Sequence, residues 1–499
     1  APTTAPTTLP TLGAPISAPP VETPAPVAPV PETLAPVAPT PAPVTVTPAP
    51  VAATPAPVAP TPAPVAPTAA PVSPTPAPVA PTPQPTNVPT SQPTPEPTNP
   101  PTLPPTNAGP PTVLQAIQPL ALQGGNEFND PNSYQSCALA RTEEQEGINT
   151  RSTAKIAQYY ALYSIFCATN GVTNIITESE GILNVPGWIV AAGWESNSLD
   201  PCSGSWFGVD CDGDLVTKLD LFSNLLTGAF PPEVMLLASD GPRSTGAGAL
   251  QRIDLFDNML LTNNGDNSWW SDLGSSFGFL FFKETAFSGA LSRLPPNIRE
   301  FDCSFSFISG GLTQQNFQGL NSLIFANFDG NAYNSTVPSA FSSMPNLQFL
   351  YIVDGFISGD LSYMVGMSSL REHWADSNPG LGGQMPAGIS SIPTLESFSI
   401  TSCSFSGTIP TEFGNFGFVM KQMWMYDNDL TGTIPSELAN MAALRLLQVE
   451  GNSFTGSMPP EICANTVFPR PLEELGADCF DPGFSCECCT CCSVQECPI

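Results

Sequence analysis

The chain carries fourteen cysteines and one histidine, and their spacing limits what chemistry is open to it. Eight cysteines (Cys463, Cys479, Cys486, Cys488, Cys489, Cys491, Cys492 and Cys497) crowd the carboxyl end, most of them in the run CECCTCC. Four more, Cys137, Cys167, Cys202 and Cys211, form a group far upstream. Both counts are even, which suits disulfides formed in an oxidising compartment. For the upstream four, three pairings exist, and Cys137–Cys167 with Cys202–Cys211 is the most local. Zinc is the weaker alternative there, because no paired CxxC is present. The carboxyl-terminal run has a sharper rival, since closely spaced thiolates also wrap soft metal ions. Cys303 and Cys403 stand alone and read as buried free thiols that pack like small apolar residues.

The histidine, His373, is the natural candidate for a general base. No Ser-His-Asp set, HExxH helix, P-loop or GxGxxG context accompanies it, and the repeat pattern below gives it an inward, core position. Carboxylate pairs abound, but 43 Asp and Glu against 13 Lys and Arg produce them by chance. The chain reads as a non-enzyme without catalytic residues, metal or cofactor. A formal charge of −30 leaves no basic footprint for nucleic acid or anionic lipid. No apolar run reaches the 18 or so residues of a membrane helix, so no direct membrane insertion is expected. The start, APTTAPTT, lacks a charged-then-apolar leader, so a signal peptide is expected to be removed or absent.

The elements that position these residues differ along the chain. Of 61 prolines, 39 precede Val113, and no Lys or Arg precedes Arg141. Residues 1–112 repeat units such as PAPVAPT. Proline at every second or third position removes amide donors and fixes φ, so neither helix nor sheet propagates. The expectation is a Pro/Thr/Ala-rich stalk, either a polyproline II spacer of up to about 350 Å or a plain disordered linker, with O-glycosylation on its Thr and Ser. A linker is expected at 113–132. From 133 to 212 the composition turns globular. Ala154–Thr169 (AKIAQYYALYSIFCAT) has helical spacing of its apolar residues and stops at Asn170-Gly171.

From there one phrase recurs: LDLFSNLLTGAFP from Leu219, MWMYDNDLTGTIP from Met423 and LQVEGNSFTGSMP from Leu447. A period in the twenties with the pattern LxLxxNxL is that of leucine-rich repeats. Counting paired inward residues gives ten turns across 213–460. They are Leu219/Leu221, Ile253/Leu255, Leu280/Phe282, Phe301/Cys303, Ala326/Phe328, Leu350/Ile352, His373/Ala375, Phe398/Ile400, Met423/Met425 and Leu447/Val449. The second turn comes 34 residues after the first, which predicts a loop insertion at Ser239–Ala249. A ladder position holds Asn224, Asn258, Asn331, Asn378, Asn428 and Asn452, where a buried amide can pair with backbone groups of neighbouring turns. Thr285, Ser306, Gly355 and Cys403 replace it elsewhere and imply a less regular middle. Ile409-Pro410 and Ile434-Pro435 favour turns over long helices on the convex side.

The segments ALYSIFCATNG and CSGSWFGVDCDGDLVTKLDLFSNLLTGAFP resemble the amino-terminal cap and first repeat of plant-type leucine-rich-repeat proteins, and the ATNG variant is similar to secreted diatom and algal members. The resemblance runs from about Ser133 to the end and omits the stalk; the CECCTCC tail is similar to those of the same algal proteins. It implies an α/β solenoid: a right-handed curved array with a parallel β-sheet on its concave face. Disulfide caps would close it at 133–212 and 461–499, because a solenoid end exposes its core.

Strand side chains alternate between faces, so residues between and just after the inward pairs point to the concave surface. Phe222, Phe256, Phe281, Tyr351, Trp374, Trp424 and Tyr426 share that face with acids such as Asp376. Aromatic rings beside carboxylates suit sugars or a basic peptide, and such patches mark binding sites, unless the rings simply pack on one another. The expected function is extracellular recognition, in which a secreted, wall or surface protein binds a matrix polysaccharide or protein. A structural, self-associating wall or adhesive glycoprotein and a receptor ectodomain are the alternatives. One N-glycosylation sequon, Asn334-Ser335-Thr336, is predicted to lie on a turn.

Overall fold

The computed structural model describes residues 112–170, 187–467, 472–493 and 497. They all lie within the compact unit 99–499. The stalk expectation, apart from its last residue Thr112, lies outside the described residues, as does Gly171.

The amino-terminal cap is helical. Helix α1 spans Val113–Ile117, α2 Tyr134–Glu143 and α3 Thr153–Ala168. Each begins on a hydroxyl that accepts an amide two or three residues into the helix: Thr112 from Gln115, Ser133 from Ser136 and Ser152 from Lys155. No Gly or Pro interrupts α3, and its side chains are buried all round from Lys155 to Phe166, as befits a helix at the centre of a cap. Trp188, Trp194 and Trp206 pack around Phe166 and Tyr163 with ring centroids 4.8–6.1 Å apart. Each indole N–H still finds an acceptor, in Thr169, Phe207 and Leu199 respectively. Disulfides Cys137–Cys167 and Cys202–Cys211 tie α2 to α3 and close the turn before the sheet. The stretch 113–132 corrects the linker expectation: Val113, Ala116 and Ile117 are buried in the common core, so the segment packs as part of the cap.

A twelve-stranded sheet follows. Strand β1 (Val209–Asp212) pairs antiparallel with β2 (Leu215–Asp220). From β2 onward every neighbour is parallel: β3 Arg252–Asp254, β4 Phe279–Phe281, β5 Glu300–Asp302, β6 Phe325–Asn327, β7 Phe349–Tyr351, β8 Glu372–Trp374, β9 Ser397–Ser399, β10 Gln422–Trp424, β11 Leu446–Gln448 and β12 Glu474–Gly476. The ten first inward residues stand in one register row, from Leu219 opposite Ile253 through His373 opposite Phe398 to Met423 opposite Leu447. All are fully buried. The row continues to Leu475 in β12, an eleventh turn inside the segment read as pure carboxyl-terminal cap. Its short apolar pair, Leu475 and Ala477, lacks the leucine-asparagine phrase that marks the others.

The asparagine ladder closes the backbone between turns. Asn378 donates to the carbonyls of Ile352, Ala375 and Asp376 and accepts the amides of Gly355 and Ile357. Asn258 makes the same set one end earlier, accepting from Asn224 and Leu226. Where the amide is missing, fewer bonds replace it. Thr285 and Ser306 both donate to the Phe282 carbonyl, and the Cys403 thiol lies 3.3 Å from the Ala375 carbonyl. The residue before the ladder turns the chain out of the sheet in a left-handed conformation, as at Ser223, Phe305 and Asp427. In the fifth turn Gly330 takes this place, and a Cβ there would sit 2.6 Å from the Phe305 ring. Convex segments are short 3₁₀ turns such as Thr411–Phe416 and Ser436–Asn440, each entered through the expected proline. Residues 239–249 carry no regular element.

At the far end, Cys463–Cys488, Cys479–Cys492, Cys486–Cys489 and Cys491–Cys497 pair all eight cysteines as disulfides. The free thiols are Cys303, which is buried beside the Tyr333 hydroxyl, and Cys403, which is only half-buried. No helix among the described residues is long and apolar enough to cross a membrane.

Candidate ligand-binding face

His373 is fully buried. Its Nδ1 lies 3.0 Å from the Leu350 carbonyl, which can only accept, so Nδ1 carries the proton. Nε2 then accepts from the Tyr363 hydroxyl at 2.7 Å. Burial holds the ring neutral, with its pKa lowered to about 4. A neutral imidazole with both nitrogens engaged inside the core has no route to a substrate.

The concave sheet splits into two chemically different ends. At the amino-terminal end, the Arg252 guanidinium lies 4.8 Å from the Phe281 ring centroid and pairs with Asp220 at 2.8 Å and Asp254 at 2.6 Å. Lys283 Nζ stands 5.4 Å from the Phe256 ring and 5.8 Å from that of Phe305. Here aromatic faces, carboxylates and cations satisfy one another. Phe222 lies one strand outside this group and is 48% exposed.

Toward the carboxyl end the rings join into a track across the strands. Phe325 contacts Tyr351 (centroids 5.7 Å), Tyr351 contacts Trp374 (5.2 Å), and Trp374 meets Trp424 edge-on (6.3 Å). Ser399 lies between the two tryptophans in the strand order, and its small side chain leaves a cleft of about 190 Å³ lined by Trp374, Asp376, Ser399, Trp424 and Tyr426. The Tyr351 hydroxyl donates to Glu372 and the Trp374 indole to Ser397. Asp376 is pinned at the cleft floor, its Oδ1 accepting from the Ser399 hydroxyl and the Thr401 amide, both at 2.6 Å. Burial raises the pKa of Asp376, and it raises Asp329 to about 7, the latter with help from the charges of Asp302 and Asp376. Glu450 is also pushed up to about 7, by burial and then by Asp478 and Glu474.

Of the expected face residues, Tyr351, Trp374, Asp376, Trp424 and Tyr426 therefore gather at one end, Phe256 and Phe281 at the other, and Phe222 beyond them. Sequence reasoning missed Phe325, Phe349 and Glu372, each of which precedes an inward residue. Strand alternation alone carried the signal, because such a residue shares the face of the one two places on.

A family model for the Leucine Rich Repeat matches residues 394–416, the stretch that carries β9 and its ladder position. The described residues form a leucine-rich-repeat solenoid. Receptor-like protein 41 of Arabidopsis thaliana is 29% identical over 156 residues, which make up 31% of this chain and 18% of that protein. Receptor-like protein 39 of the same plant is 26% identical over 164 residues, again 18% of its length. The chain thus spans less than a fifth of these curated relatives. Among solved structures, the Arabidopsis HAESA receptor kinase ectodomain with an extended IDA peptide hormone has a TM-score of 0.41 at 23% identity, covering 52% of this chain and 46% of that one. The plant peptide hormone receptor RGFR1 with RGF2 has a TM-score of 0.41 at 18% identity, covering 56% and 52%.

Proposed function

We propose that this leucine-rich-repeat protein is a non-catalytic extracellular recognition protein that binds a protein or polysaccharide of the wall or matrix on its concave face. The aromatic track from Phe325 to Trp424 carries this reading. Cross-strand ring pairs steady a sheet by about 0.2–1 kcal/mol each, yet the track still leaves an open cleft, and Trp374 keeps 38% of its surface exposed. Stacked aromatic anchors of this kind dominate binding energies when a partner covers them. The test is a glycan and secreted-protein array probed with wild type and with Trp374→Ala/Trp424→Ala. A ligand retained by wild type and weakened at least about tenfold in the double variant is expected, since losing two such anchors removes on the order of 2 kcal/mol or more. Equal binding by both proteins would sink the concave-face reading.

Likeness to receptor-like proteins 41 and 39 supports a second reading, in which the chain is the ectodomain of a receptor. In either setting Asn334 is expected to carry an N-glycan. It is exposed and follows the short strand Ala332–Tyr333. Peptide mapping of protein secreted from a eukaryotic host, before and after glycosidase, should show the modification; a wholly unmodified Asn334 would count against it.

A further inference from the structure

The two ends of the concave face are built from the same parts, but one lacks a component. At the Phe281 end, rings and carboxylates enclose two cations belonging to the chain, Arg252 and Lys283. At the Trp374 end, no cation among the described residues lies over the rings of Trp374, Trp424 or Tyr426. Among the described residues, no ion pair involves Asp376, Asp427 or Glu450. The nearby bases Arg371 and Lys421 are both engaged by Glu396 at the strand starts. Asp376 is oriented by Ser399 and Thr401, neither of which brings positive charge.

We propose that the cleft of Trp374, Asp376, Ser399, Trp424 and Tyr426 receives a Lys or Arg side chain of a basic polypeptide. The inference deepens the recognition reading above and rests on it, since it names the chemistry of the ligand. An ammonium or guanidinium is drawn to the negative face of an aromatic ring and gains most where that ring and a carboxylate are partly desolvated. The cleft, about 190 Å³, has the size for one such head group and its last methylenes. Tyr426 marks the local charge: burial pushes its hydroxyl upward, a hydrogen bond with Thr401 opposes this, and the charges of Asp376, Asp427 and Glu450 add to the rise. Burial also raises Asp376 and Glu450, and no ion pair among the described residues offsets it. The chain's formal charge of −30 would draw a basic partner toward this face from a distance. A neutral sugar would use the rings but leave these carboxylates uncompensated.

The test uses the full chain and three probes in calorimetric titrations at 150 mM NaCl: tri-lysine amide, tri-arginine amide and Nε-acetylated tri-lysine amide. The cationic peptides are expected to bind, and acetylation to weaken binding at least tenfold. Trp374→Ala and Asp376→Asn should each weaken the cationic peptides at least fivefold. The asparagine retains an oxygen for Ser399 and Thr401, so the fold is kept, and melting curves of each variant check this. Phe418→Ala, at a side chain 84% exposed outside the sheet, should bind as wild type. Cationic peptides that bind both site variants as well as wild type would show diffuse attraction to an acidic surface and overturn the inference. Equal binding of the acetylated peptide, or no binding of any peptide, would overturn it too. A neutral array ligand lost in Trp374→Ala but kept in Asp376→Asn would overturn the cation inference while leaving the recognition reading in place.

Discussion

Asn378→Ala is expected to destabilise the solenoid by roughly 3 kcal/mol or more, far beyond the cost of shortening an exposed side chain. The side chain is fully buried and makes five hydrogen bonds to the backbone of two turns, its own and the preceding one. Truncation leaves the amides of Gly355 and Ile357 facing a dry gap, and each unpaired buried group costs about 1–3 kcal/mol. Gly355 stands at the ladder position of its own turn, so no side chain from that turn can replace the lost acceptor. Urea denaturation measures the loss. Hydrogen exchange should show the Gly355 and Ile357 amides losing protection first, because a solenoid loses stability locally, turn by turn. A destabilisation below about 1 kcal/mol would mean that water or a backbone shift satisfies these groups. Asn334→Gln, on an exposed turn, serves as the comparison and should change little.

Thermal stability should rise as pH is lowered from about 7.5 to about 5. Glu233, Asp329 and Glu450 are each raised to about 7, in every case chiefly by burial. In the unfolded chain such carboxyls titrate near 4. Between those values the folded state holds more protons than the unfolded one, so acidification favours folding, and the gain is complete once pH falls below the unfolded values. His373 works in the opposite sense. Its pKa is lowered to about 4, so the unfolded chain takes up a proton first, and that contribution is lost as pH falls from about 6.5 toward 4. Three carboxyls against one imidazole, with the repulsion of a −30 chain relieved besides, set the expected maximum near pH 5. Melting curves from pH 4.5 to 8 check the direction. Asp329→Asn, which keeps an acceptor for the Val353 amide, should flatten the slope. Stability that climbs with pH across this range would refute the account.

Recognition and pH dependence meet on the same residues. Asp376 and Glu450 are costly to ionise in the free protein for the same reason that they suit a cation: they are removed from water without a counter-charge. A bound base would recover part of that cost, so ligand and acid are expected to stabilise the carboxyl-terminal end of the sheet by related means.

Much of the architecture was legible because its rules are local. An alternation of two residues and an asparagine three places on can be seen within one turn, and Met423, Met425 and Asn428 occupy the places that this pattern assigns. The upstream helix was visible for the same reason, as a run of apolar residues at helical spacing that stops at Asn170-Gly171. The eleventh turn escaped because Leu475 and Ala477 present only the inward pair, without the phrase that follows. Residues 113–132 escaped because five helical residues next to a proline-rich stretch carry too little periodicity to stand out.

The sequence by itself determined the period, the inward rows, the ladder and the presence of aromatics on one face, since each follows from spacing along a single strand. Only the tertiary structure decided which rings meet. Tyr351, Trp374 and Trp424 are separated by tens of residues, and the sheet brings their strands to neighbouring or next-neighbouring places about 4.8 Å apart. It also decided that Arg252 and Lys283 neutralise one end of the face while Asp376 and Glu450 stay without a counter-charge at the other. Charge balance across a sheet depends on distances between strands, and no pattern within a strand records them.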